Sequence, residues 1–475
     1  MALKPVTEEI INELKLVLSP AAVSAVPDNY LLEPRSRWRG ISTILALPRS
    51  VKEVSAVVSL ANAKNIPIIP YGGGTGLVGG QIQDTGPSGI LLSLERMNKI
   101  RYLNPDENVI TVEAGVILSN LRDAAEDAKR IFPLSLASEG TAQIGGNLAT
   151  NAGGVNVLRY GSTRNLCLGL EVVFADGSIW NGLSRLHKDN TGYDLKNLII
   201  GSEGTLGIIT AATMKLFSKP IEHTVALVAV KSPKDAVRLL SETKDYFGET
   251  ISAFELINKM GIDFLKETKV EFKSPFENIP EWMVLLDIGH SGRSNLKTNT
   301  NDYFENILSS GLALDGVIAE NMGQQHDLWA IREKIPEANR RIGAVSSHDI
   351  SLPLSAISNF IDEARVEISK LGNFRINCFG HIGDGNLHFN IFPNEGKKRE
   401  DHNHVRPAIK TAIHDLVHLY GGSVSAEHGI GRLKIHDLVK YSDPIKLKLN
   451  KSIKSVMDPK GILNPGTIFG PSPCD

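Results

Sequence analysis

Cysteine is scarce: Cys167, Cys378 and Cys474 are the only three in 475 residues. With no CxxC spacing they form neither a disulfide framework nor a cysteine metal site, which points to a reducing compartment. A dominant charge is also missing. The 51 Lys and Arg against 53 Asp and Glu leave a formal net charge of −2, so no global field draws the chain to nucleic acid. No apolar run approaches the ~18 residues of a membrane span. The N-terminal MALKPVTEEIINELK has no apolar core, and it carries Glu8, Glu9 and Glu13, acids that a transit peptide avoids. The expectation is a cytoplasmic protein with no targeting signal and no transmembrane segment, a peripheral membrane contact staying open. At 42% hydrophobic and 22% charged residues the chain is globular, and its length exceeds one hydrophobic core.

Glycine and histidine are unevenly placed. Six of the 43 glycines fall within positions 71–80, and nine of the 13 histidines lie at or after His348. Around and after the glycine cluster the pattern predicts helices at 51–64 and 117–128, with strands near 66–70, 90–94, 109–113 and 170–176. After Pro220 strands and helices alternate. Strands are expected at 223–230, 282–288, 315–319, 348–352, 374–380 and 387–392, and helices at 233–246, 296–309, 324–341 and 355–371. This second part reads as an α+β sheet with helices on one face.

Pro70–Gly80 (PYGGGTGLVGG) contains G-x-G-x-x-G at Gly74, Gly76 and Gly79, with Glu95 where a ribose-binding acid would sit. The usual dinucleotide fold needs a helix opening on that turn. GQIQDTGPSG (80–89) will not propagate one, with three glycines and Pro87. The alternatives are a flexible turn and a nest of backbone N–H groups facing an anion. Two more small-residue stretches follow, PLSLASEGTAQIGGNLATNAGG (133–154) and GSEGTLGI (201–208).

Together these three stretches resemble the FAD-binding domain of the vanillyl-alcohol oxidase/p-cresol methylhydroxylase flavoproteins. The resemblance implies FAD contacts from Gly72, Gly73, Gly74, Thr75 and Gly76. It implies further contacts from Gly140, Thr141, Gly146, Asn147, Thr150 and Gly153, then from Glu203 and Ile208. DPKGILNPG (458–466) resembles the closing motif of that family, which brings Asn464 to the flavin. Covalent members carry a histidine where Gly74 stands, so the resemblance implies noncovalent FAD.

CFGHIGDGNLHFNIF (378–392) reads as a hairpin turning at Asp384-Gly385. With that dipeptide at the turn centre, His381 opposes His388, and two imidazoles share a face as a metal ion requires. Asn390 lies on the face of His388. The other reading is two surface histidines. SVSAEHGIG (423–431) sets Glu427 beside His428. Glu427 could complete a His₂–carboxylate site suited to zinc or manganese, or it could cap a helix. Spacing alone does not join it to the hairpin.

GHIGDGNLH and SAEHGIG resemble the signatures of the FAD-dependent D-2-hydroxy-acid dehydrogenases, the D-lactate and D-2-hydroxyglutarate group. That resemblance implies metal ligands at His381, His388 and Glu427. It implies substrate binding and proton abstraction at Asn390 and His428, and a substrate-carboxylate clamp at Arg332 in LWAIREK (328–334), a position that otherwise reads as a surface arginine on a helix. 2-Hydroxyglutarate-type members commonly place a hydroxyl residue and a lysine where this chain has Pro336 and Ser347. The missing cation tilts the substrate toward a smaller acid such as D-lactate.

The expected fold is α+β, a two-domain flavoprotein. A FAD-binding domain of the p-cresol methylhydroxylase type spans 1–219, an antiparallel-sheet substrate cap spans 220–429, and 430–475 returns to the first domain. The expected reaction is oxidation of a D-2-hydroxy acid to the 2-oxo acid with hydride passing to flavin N5. A separate acceptor (a quinone, a cytochrome or an electron-transfer flavoprotein) then reoxidises the flavin, and the chain can pair as a homodimer. Two alternatives remain: oxidation of glycolate or an aryl or sugar alcohol on the same fold, or a flavin-carrying electron-transfer partner without a substrate of its own.

Overall fold

The periodic segment after Pro48 forms the expected helix, Val51–Lys64. Ser50 caps it by accepting the Glu53 N–H, Asn65 closes it in the left-handed region at φ 59°, and Val54, Val57, Val58 and Ala61 form its buried face. In this computed structural model residues 2–36, 38–290 and 296–470 are described; Cys474 lies outside them. The chain divides into two units. One comprises Met1–Gly154, Gly161–Ser218 and Glu427–Asp475, and the other Val155–Tyr160 and Lys219–Ala426. Among the described residues no helix is long and apolar enough to cross a membrane.

The first unit holds two principal sheets. One runs Val23–Ala25, Ile44–Ala46, Ile90–Ser93, Ile68–Tyr71, and its last three strands are parallel. The other is antiparallel, in the order Ile100–Asn104, Val109–Glu113, Ile208–Lys215, Cys167–Val173, Ile179–Gly182. The glycine-rich loop leaves the end of Ile68–Tyr71, and no helix follows it. The closing segment pairs with that same strand. Ile68 N–H donates to the Ile462 carbonyl at 2.8 Å and Asn464 N–H to the Ile68 carbonyl at 2.8 Å. Residues 462–464 are thus joined to the strand that launches the loop, far away in sequence.

The second unit is built on one seven-stranded antiparallel sheet. Its order is Asp315–Ile318, Glu222–Val230, Trp282–His290, Ile251–Asn258, Arg375–Gly380, Asn386–Phe392, Ser346–Ser351. Here the one-face expectation is corrected, because helices cover both faces. Leu227, Leu285, Phe379 and Phe392 pack with Phe264 and Leu265 of Lys259–Glu267 and with Ile331 and Ile335 of Met322–Ile342. The other face meets Pro233–Phe247 and Ile357–Leu371, and Phe360 sits edge-on to Phe389 at 5.6 Å. The physical reason is visible in the strands. HTVALVAV and WMVLLDIG are almost continuously apolar, as strands buried on both sides must be, and their central residues are buried without alternation.

The hairpin register is also corrected. His388 opposes Phe379, and Cys378 opposes Phe389. The first strand ends at Gly380, a 3₁₀ turn covers Ile382–Asp384, and Gly385 closes it at φ 85°. The turn is therefore two residues longer than a tight Asp-Gly hairpin. His381 stands just past the strand end, diagonal to His388 rather than opposite it.

Phe264 is fully buried and packs edge-on to Phe392 with ring centroids 4.7 Å apart. Phe264→Ala is expected to destabilise this unit by about 3–5 kcal/mol, read as a lowered midpoint of its unfolding transition in denaturant.

Candidate active site

In the first unit a cavity opens against the glycine-rich loop. Gly72, Gly73, Gly74, Thr75, Gly76, Gly146, Asn147, Thr150, Glu203, Ile208 and Asn464 line it, together with His428. Gly140, Thr141 and Gly153 are not part of its lining. A Cβ on Gly73 would lie 2.1 Å from the Thr141 carbonyl oxygen, so the loop rests directly on that backbone. A Cβ on Gly153 would lie 2.6 Å from the Glu427 side-chain Oε1, and the neighbouring Gly154 N–H donates to the same Oε1 at 2.8 Å.

Residues without a sequence signal complete the cavity. Gln81 braces the loop by donating Nε2 to the carbonyls of Gly76 at 2.8 Å and Gly74 at 3.3 Å. Gln143 and Tyr71 add to the lining. The side-chain oxygens of Gln143, Asn147 and Asn464 are buried and have no hydrogen-bond partner among the described residues. Buried acceptors of that kind call for a donor from elsewhere. A bare glycine wall beside unanswered acceptors fits a flat, hydrogen-bonding ligand such as FAD.

The SAEHGIG glycines have a local reason. A Cβ on Gly431 would lie 2.2 Å from the Val78 carbonyl oxygen, and one on Gly429 would lie 2.7 Å from Glu203 Oε1. Glu203, itself at φ 51°, accepts from Ile430 N–H and Gly431 N–H at 2.8 Å each. Burial pushes its carboxyl up to about 7, against the pull of these two donors. Arg432 locks the same segment by donating to Asp84 at 3.0 Å and to the Pro465 carbonyl at 2.6 Å. His428 is held at the cavity by backbone that has no freedom to drift.

In the second unit His381 and His388 meet at one end of the sheet. Their ring centroids are 5.5 Å apart and the rings are nearly perpendicular, at 79°. His381 is 7% exposed. Its Nδ1 lies 2.6 Å from Glu255 Oε1, and Glu255 Oε2 accepts from Arg332 Nε at 2.7 Å. Burial alone would raise the Glu255 carboxyl, but the His381 ring and the Arg332 guanidinium outweigh it and hold it down to about 2. The Arg332 guanidinium lies 4.7 Å over the Phe379 ring, whose centroid is 5.0 Å from that of His388. Arg332 is therefore no surface arginine. Pro336 lies within its helix, so the Arg332 carbonyl lacks the N–H four residues on.

Asn390 is buried, opposite Asn377 on one side and Ser347 on the other. Asp349 opposes His388, and the Asp349 carbonyl accepts from Ala426 N–H at 3.3 Å. Glu427 is the next residue in the chain, where the first unit resumes.

Residues 219–468 match the family model for FAD linked oxidases, C-terminal domain, and residues 42–182 match one for a FAD binding domain. The mitochondrial D-2-hydroxyglutarate dehydrogenase of Arabidopsis thaliana is 35% identical over 458 residues, covering 96% of this chain and 80% of that protein. A putative mitochondrial D-lactate dehydrogenase of Schizosaccharomyces pombe is 35% identical over 453 residues, covering 92% of this chain and 84% of that one. The crystal structure of p-cresol methylhydroxylase with substrate bound shares the fold, with a TM-score of 0.77 at 18% identity over 98% of each chain.

Two outcomes follow from the cavity. Gly73→Ala forces a Cβ to within 2.1 Å of the Thr141 carbonyl oxygen, so the purified variant is expected to lose most of its flavin absorbance. The Glu203 carboxyl rises in the folded state from its ordinary 4.5 to about 7. Its contribution to stability is thus fully present below the unfolded value and is lost as pH climbs through the folded one. Melting temperature against pH is expected to fall across that window in the wild type, and Glu203→Gln should flatten the slope.

Proposed function

Because the chain belongs to the FAD-dependent D-2-hydroxy-acid dehydrogenases of the vanillyl-alcohol oxidase/p-cresol methylhydroxylase flavoproteins, and is a FAD-dependent oxidoreductase acting on a hydroxy acid, we propose that it oxidises a small D-2-hydroxy acid at a metal held by His381, His388 and Glu427. The observation that carries this reading is the pair of imidazoles at the sheet end, one of them anchored through Nδ1 by a buried carboxylate. Two imidazoles and a carboxylate are a donor set that zinc or manganese accepts. FAD is held without a covalent bond, since Gly74 offers no side chain for one.

When bound, FAD takes up the two electrons and the hydrogen that leave C2, and the metal supplies Lewis acidity at the carboxylate and 2-hydroxyl. The chain's own residues do the rest. His428, at the cavity wall, takes the hydroxyl proton as general base. Arg332 offers its guanidinium to the substrate carboxylate; Nε is engaged by Glu255, and its terminal amino groups make no other hydrogen bond among the described residues. Asn390 orients the substrate through its amide. Ser347, opposite Asn390 on the neighbouring strand, supplies no cation of its own for a second carboxylate, which favours D-lactate over D-2-hydroxyglutarate. Electrons leave to a separate quinone, cytochrome or electron-transfer flavoprotein. Cys167 and Cys378 are buried free thiols, each pushed up to about 12 by burial.

Anaerobic bleaching of the bound flavin across a panel of D- and L-2-hydroxy acids tests the proposal. D-Lactate is expected to bleach it faster than D-2-hydroxyglutarate, and the L-enantiomers not at all. A flat panel makes the protein a flavin carrier without this activity, and faster bleaching by D-2-hydroxyglutarate removes the argument from Ser347.

A further inference from the structure

We propose that Glu255 is a positioning residue that sets the metal ligand His381 and the substrate clamp Arg332 together, one with each of its carboxylate oxygens. The proposal rests on the metal reading above and goes beyond it, because neither the hairpin nor the Glu427 segment contains this residue.

Glu255 lies within the strand Ile251–Asn258, flanked by the buried Phe254 and Leu256, and is fully buried itself. Nothing in that strand calls for a charge, and a buried carboxylate persists only where its oxygens are answered. One oxygen faces His381 Nδ1 at 2.6 Å and the other faces Arg332 Nε at 2.7 Å. A carboxylate oxygen at that distance requires Nδ1 to carry the hydrogen. In the neutral ring this leaves Nε2 with its lone pair, the form a metal needs, and the bond fixes the plane of the ring. On the other side the Nε bond and the Phe379 ring beneath, at 4.7 Å, fix the plane of the guanidinium, so its terminal amino groups are presented as a rigid fork.

Both partners are donors, so the site needs two acceptors. Glutamine has the same shape but only one acceptor, and its amide N–H₂ must confront either His381 or Arg332. Loss of an outer partner of this kind commonly weakens metal binding about 10–100-fold.

The test uses the full-length, flavin-loaded, metal-stripped protein. Zinc affinity is measured by competition with a chromophoric chelator in the absence of substrate, and KM and kcat are measured after reloading. Glu255→Gln is expected to weaken zinc binding about 10–100-fold and to raise KM more than it lowers kcat, while flavin content and melting temperature report that the fold is kept. A purely structural residue would shift the melting temperature and leave zinc affinity and KM in the folded protein alone. Should the glutamine variant fail to fold, Glu255→Asp keeps the charge but draws both oxygens back by about 1.5 Å, and the same weakening of zinc binding is expected. Wild-type zinc affinity in either folded variant overturns the proposal. A wild type that takes up no zinc instead overturns the metal reading beneath it.

Discussion

Backbone lying directly against backbone is the constraint on which the flavin-binding unit depends. At Gly73 and Gly431 a single added Cβ would lie 2.1 and 2.2 Å from the carbonyl oxygens of Thr141 and Val78. These are contacts between segments remote in sequence, and they carry the shape of the cavity. The loop rests on the 133–154 stretch, the SAEHGIG segment rests on the loop, and the closing segment pairs with the strand from which the loop departs. Side chains then tighten what the glycines permit. Gln81 ties the loop to itself, and Arg432 ties the returning chain to Asp84 and Pro465. Glycine serves here to remove atoms from contacts more than to supply flexibility.

The second unit solves a different problem. A charge placed in an apolar sheet must be answered on every side, and Glu255 is answered by His381 and Arg332. The surrounding core is packed with Leu285, Phe379 and Phe392, so neither partner is free to relax. Rigid hydrophobic packing thereby becomes directional polar chemistry: two imidazoles nearly at right angles, and a guanidinium laid flat on Phe379. The histidine cluster of the sequence narrows to the few whose rings or backbones are held in this manner.

Much of this was legible in the residues themselves, because local physics determines it. The helix Val51–Lys64 announces itself by its periodicity. The glycine run announces a turn that no helix can follow. The flavin signatures reach further, through resemblance. What sequence could not supply was tertiary. Glu255 is a single acid in ISAFELIN, and its partners lie 126 and 77 residues away. The hairpin register failed for a related reason. Asp384-Gly385 does end the turn, with Asn386 N–H donating to Asp384 Oδ1 at 3.1 Å, but Gly383 is pressed against Leu158 and Phe254 and Gly385 against the Leu352 carbonyl. Those contacts favour a longer 3₁₀ turn over a tight one. Helices on both sheet faces were signalled by unbroken apolar strands, which the one-face expectation overlooked.

The proposed reaction divides the labour: one cavity takes the flavin, and the histidine pair with Glu427 takes the proposed metal that holds the substrate. Single-turnover flavin bleaching by D-lactate, before and after metal removal from protein that keeps its FAD, measures that division most directly. The account predicts bleaching at least a hundredfold slower in the stripped protein, about 2.7 kcal/mol of barrier, with recovery on adding zinc or manganese. Unchanged bleaching in protein verified free of metal would contradict it.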